Sequence, residues 1–67
     1  MNKIFTVVVN KEDDWFVARC LENSVASQGK TMDEAIDNLR EAVVLYYEDE
    51  PLPIFHQTYM TALEIAL

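Results

Sequence analysis

Four short features of this chain carry residue types that could do chemistry. Ser27-Gln28-Gly29-Lys30-Thr31 holds the only glycine and ends in Gly-Lys-Thr, the triplet that closes a phosphate-binding loop. Such a loop needs another glycine five positions earlier, so that successive backbone N–H groups can wrap the phosphates. Ser24 occupies that position, and no glycine lies between Asn23 and Gln28. The triplet therefore predicts no nucleotide site. Glu12-Asp13-Asp14 offers three carboxylates for a two-metal centre of the ribonuclease H kind. Adjacent acids on a turn splay apart, whereas shared ions about 4 Å from one another need converging ligands, so a solvated turn is the expectation. His56 is the only histidine and Cys20 the only cysteine. They make no zinc set between them and exclude an intramolecular disulfide. No serine, cysteine or carboxylate pattern recommends His56 as a base. Cys20 reads as a core thiol. No catalytic residue, metal or cofactor is expected.

The elements that would position these residues follow from periodicity. Residues 3–10, KIFTVVVN, are β-branched and aromatic, as strands are. Residues 11–14 interrupt them, and Trp15–Leu21 resumes with Phe16, Ala18 and Cys20 on one side and Trp15, Val17, Arg19 and Leu21 on the other. This predicts a β-hairpin, with a third strand at Val25–Gln28. The period then changes to 3.6. Met32, Ala35, Ile36, Leu39, Ala42, Val43 and Tyr46 form one stripe of a helix over 31–49, which Pro51 and Pro53 stop. Thr31 and Glu34 have the spacing of a capping box. Gly29 is expected to turn the chain out of the strand at a backbone angle that a side chain would resist. Alternation returns over Gln57–Ile65, with Tyr59, Thr61, Leu63 and Ile65 on one side, predicting a fourth strand. The fold class is α+β, ordered βββαβ: an antiparallel meander with one helix packed on a face, in a single domain over 1–67.

Length and charge narrow the function. The chain has 67 residues, and 51% of them are hydrophobic, which favours a packed core over disorder. A chain this short buries only about 60% of its unfolded surface, so a second subunit is its natural support. No apolar run approaches the roughly 18 residues of a membrane span, and the N-terminus reads as a strand and not as a signal peptide. A cytoplasmic protein is expected. Residues 1–30 balance four basic against four acidic side chains; residues 31–67 set Arg40 against eight acids and hold the whole net charge of −7. Such a half repels nucleic-acid phosphates and attracts a basic partner.

Taken together, Trp15-Phe16-Val17-Ala18, then Ser27-Gln28-Gly29 and Thr31, then Glu34-Ala35, Asn38-Leu39 and Glu41-Ala42 resemble the signature of the HicB-like antitoxin family over about residues 4–50. The resemblance implies a partial ribonuclease H-like fold without nuclease activity. It also implies an antitoxin of a type II toxin–antitoxin pair, which occludes a small, basic, HicA-like RNA-cleaving toxin. Many members continue into a DNA-binding domain; with the sequence ending at Leu67, neither such a domain nor direct nucleic-acid binding is expected. The alternative is an orphan adaptor domain on the same scaffold, with another ligand.

Two clusters could face a partner or a second subunit. Glu48-Asp49-Glu50 would oppose the dipole at the end of a helix over 31–49, and rules of this kind are broken most often at functional sites. Val43-Val44-Leu45-Tyr46-Tyr47 is too apolar for one stripe. With Val43 and Tyr46 on the sheet, Val44 and Tyr47 point elsewhere, as a homodimer or higher homo-oligomer would use them. The candidate contact set is Val44, Tyr47, Glu48, Asp49 and Glu50. The structural turn and cap are Gly29, Thr31 and Glu34.

Overall fold

The computed structural model describes residues 3–48 and 58–67. Three strands, β1 (Val7–Glu12), β2 (Trp15–Cys20) and β3 (Ala26–Gly29), form an antiparallel sheet in the order β1-β2-β3. One helix, α1 (Met32–Tyr46), lies on one face. Alternation sets which side chains meet it. In the register Val7 pairs with Cys20 and Val9 with Ala18, and Ala18 pairs onward with Ser27. Ala18 and Cys20 of the sheet are completely buried against Ala35, Leu39 and Val43 of the helix. The three helical residues recur at four-residue spacing, which places them on one stripe.

The hairpin is tighter than the charge pattern suggested. Glu12 pairs directly with Trp15, so Lys11 and Glu12 stay in the ladder and only Asp13-Asp14 turns. Asp13 takes a left-handed φ of 55°, a region that Asp tolerates better than most residues. The first strand is correspondingly displaced, from the expected 3–10 to Val7–Glu12. Its pairing with β2 stops at Cys20, where Ser24, with φ 64°, helps reverse the chain. β3 runs one residue later than expected.

The helix begins where the cap predicted. The Thr31 hydroxyl accepts from the Glu34 N–H at 3.1 Å, and the Glu34 carboxylate accepts from the Lys30 N–H at 3.0 Å. These bonds satisfy N–H groups that the first turn cannot pair internally. Gly29 corrects the sequence reading. No glycine has a positive φ; the reason for Gly29 is proximity. A Cβ there would lie 2.6 Å from the Ala35 nitrogen and 2.9 Å from the Glu34 carbonyl carbon. Only glycine lets the end of β3 touch the first turn of α1.

The helix ends earlier than the prolines required. It stops at Tyr46, and the Tyr47 N–H bonds back to the Val43 carbonyl while the Glu48 N–H bonds to that of Leu45. The expected fourth strand does not form among the described residues. Gln57 lies outside them, and Thr58–Leu67 is neither strand nor helix, with every residue exposed. Alternation makes a segment competent to be a strand. It becomes one only where its N–H and C=O groups meet a ladder, and none is brought beside this one. The described architecture is a βββα meander.

Candidate partner surface

Three features of the helix and its flanks could meet a partner. The first is the side of α1 turned from the sheet. Asp33, Asp37 and Glu41 recur every four residues and are all exposed, so they stand one above another. Arg40 is the only cation among them; its guanidinium lies 3.4 Å from Asp37, with both side chains more than 70% exposed. Two like-charge steps at this spacing each cost about 0.2–0.5 kcal/mol, and an exposed pair of this kind offsets little. The last turn carries no basic residue. Asp33, in the first turn, suits the positive end of the dipole; Asp37 and Glu41 extend from it an acidic ladder that the helix's own stability does not call for.

The second feature adjoins that ladder at its C-terminal end. Val44 and Leu45 are each 61% exposed and Tyr46 is 45% exposed. The candidate contacts from the sequence divide here. Val44 is on the surface, as expected. Tyr47 is not: it is half-buried against the core, its ring 5.9 Å from that of Phe5, and its hydroxyl accepts from the Asn23 side-chain amide at 3.2 Å. Tyr46 stands out in its place. Tyr47 lies four residues after Val43 and its N–H bonds to the Val43 carbonyl, so it continues the buried series Ala35, Leu39, Val43 and turns inward. Glu48 is exposed but lies beyond the helix, so it does not load the last turn as expected. Asp49 and Glu50 lie outside the described residues, as do Pro51, Pro53 and His56.

The third feature is an apolar groove of about 460 Å³ between β1 and α1. Phe5 and Val7 form one wall, and Ile36, Leu39, Val43 and Val44 the other. The helix lies over β3 and β2 far more than over β1, which leaves this flank open. Lys3 and Arg40 stand at its margin.

Two side chains to which the sequence reading gave no structural role hold these flanks in place. Asn38 donates to the Gln28 carbonyl at 2.8 Å and so docks α1 on β3. Glu22 accepts from the Thr6 N–H at 2.8 Å, just where the β1–β2 ladder ends, and from the Cys20 thiol at 3.5 Å. Burial alone would raise the Glu22 carboxyl, but the hydrogen bonds it accepts, led by that of Thr6, hold it below its ordinary value. Burial pushes the Cys20 thiol up, consistent with an unreactive core group. Glu12, Asp13 and Asp14 are exposed around the hairpin tip. No group of three or more potential metal ligands converges among the described residues, and no helix there is long and apolar enough to cross a membrane. The Lys30 ammonium lies 3.9 Å over the Trp15 ring, so the lysine of the Gly-Lys-Thr triplet packs on an aromatic face.

Residues 4–66 match the model of a family described as a family of unknown function, DUF7387. The chain belongs to that family. No curated protein and no solved structure matches it. The DUF7387 match takes in the whole βββα unit and runs on to residue 66. The exposed segment after the helix is therefore part of the family's pattern and not an appendage to it.

Proposed function

We propose that this chain is a binding protein: an antitoxin of the HicB-like kind that neutralises a small, basic, HicA-like RNA-cleaving toxin by covering its RNA-binding surface. One observation carries the reading, the acidic ladder of Asp33, Asp37 and Glu41. It is exposed and set on a rigid helix, with Arg40 its one cation and the apolar Val44 and Leu45 beside it. A cationic surface built to hold phosphates is complementary to such a face. Complementary potentials speed encounter and fix orientation, while the neighbouring apolar groups supply the desolvated contact. The motif resemblance over residues 4–50 points to the same partner class. The mechanism is occlusion, which asks no catalytic group of this chain.

The test is a pull-down from the native cell extract with the tagged chain, followed by co-expression with whatever is retained. A small basic protein that degrades RNA and halts growth, and whose toxicity the chain relieves, is the expected result. Reversing Asp33, Asp37 and Glu41 to lysine should reduce that binding at least tenfold with an unchanged circular dichroism spectrum. Retention of no such ribonuclease, or undiminished binding by the reversed chain, sinks the proposal.

A further inference from the structure

We infer that the segment Thr58–Leu67 is an exchange arm: in a dimer it lies along the free edge of β1 and fills the groove between β1 and α1 of a second copy. The inference is independent of the antitoxin reading, because it concerns how two copies of this chain complete each other.

The groove has the shape of a missing strand. β1 ends the sheet in the order β1-β2-β3, and its outer edge pairs with no strand among the described residues. The helix covers that flank least, so Phe5 and Val7 face Ile36, Val43 and Val44 across open space. An unpaired edge beside an apolar trough is the geometry that takes up an added strand: main-chain bonds extend the ladder, and alternate side chains fill the trough.

The arm is the complement of that groove. Tyr59, Thr61, Leu63 and Ile65 share one side of an extended chain, and Tyr59, Leu63 and Ile65 are 82%, 80% and 63% exposed. A polar linker would carry no such pattern. The DUF7387 match reaches residue 66, so the arm belongs to the domain.

The occupant is assigned to the arm of another copy because every residue from 58 to 67 stays exposed on its own chain. The radius of gyration is 13.7 Å, against about 11 Å for a compact chain of this length. Two arms placed in two grooves form a closed, two-fold arrangement that leaves neither site open. It also supplies the subunit support that so small a core needs.

Two measurements on the full chain test this. Sedimentation should give the mass of two chains for the wild type and of one chain for Leu63→Asp. The substitution falls on a residue exposed in the protomer, so the circular dichroism spectrum should not change. Separately, Val44→Cys combined with Leu63→Cys should oxidise to a covalent dimer, because groove and arm meet between copies. A monomeric wild type, or a dimer untouched by Leu63→Asp, overturns the inference. So does a disulfide that closes within one chain, which would mean that each arm folds back on its own body. A dimer lost with Leu63→Asp and a disulfide formed between chains establish it.

Discussion

The two edges of the sheet are built in opposite ways. At β3 the helix is pressed onto the backbone so closely that Gly29 has no room for a methyl group, and Asn38 reaches across to the Gln28 carbonyl. At β1 the helix stands off, a groove of about 460 Å³ remains, and beside the last backbone bond, from the Leu21 N–H to the Thr6 carbonyl, the entry to the strand is held by the Glu22 side chain. One edge is pressed against the helix. Beside the other a groove stays open. The order of elements accounts for this: β3 leads into α1 through two residues, so the two must touch, whereas β1 is the strand farthest from that connection.

The largest effect that would expose the contrast is at the closed edge. Gly29→Ala sets a methyl group against backbone atoms, and backbone cannot rotate away as a side-chain tip can. The expected cost is about 2 kcal/mol, within the usual range for overpacking. A chain of this size has a total stability of only about 3–10 kcal/mol, so the loss should be plain in urea titration. A change below about 0.5 kcal/mol would mean that the helix has room to lift, and that the closed edge is not closed.

Next in size is the Glu22 tether at the open edge. Its carboxyl is held below its ordinary value, so the stability it adds is present above the unfolded value of about 4.3 and is lost as pH falls through the lower native value. Glu22→Gln keeps the shape but removes the charge that strengthens these bonds. It should cost about 1 kcal/mol at neutral pH, at the low end for a charged hydrogen bond because the group is only half-buried. As the pH falls through that lower native value the variant and the wild type should converge, since both side chains then become neutral. Urea midpoints followed downward from pH 7 to the acid limit of folding measure this, and a difference that stays constant throughout would refute the tether.

How much of this could be read from the sequence divides along the same line. The meander, the helix and its Thr31 cap were legible because each depends on residues within about four positions of one another, where periodicity and capping rules apply. The capped start of α1 and the buried faces of Ala18, Cys20, Ala35 and Leu39 agree with that reading. Gly29 stood out as the only glycine, yet its reason was hidden, since nothing local says how near α1 will come. Asn38 meets Gln28 across ten residues and Glu22 meets Thr6 across sixteen; neither pair has a sequence signature. Tyr47 was placed outward because Tyr46 was assigned to the sheet-facing stripe; the stripe instead runs through Leu39, Val43 and Tyr47, and Tyr46 is exposed. The alternation of Gln57–Ile65 was real as a pattern, but a strand also needs a neighbour, and a single sequence does not say where that neighbour stands.

The smallest predicted effect tells most about the open edge. Val7→Ile adds one methyl group, as Gly29→Ala does, but at the wall of the groove and not against backbone. Burying a methylene is worth about 0.8 kcal/mol when the space is enclosed; measured on the Leu63→Asp background, where the trough stays open to water, only part of that is gained, and a branched residue on a strand meets no new rotamer restriction. The expected change is within about 0.5 kcal/mol of zero, on the stabilising side. The same added carbon would then cost about 2 kcal/mol at one edge and nothing at the other. A loss above 1 kcal/mol for Val7→Ile would show instead that β1 is packed as tightly as β3, and that the asymmetry of the two edges is one of shape alone.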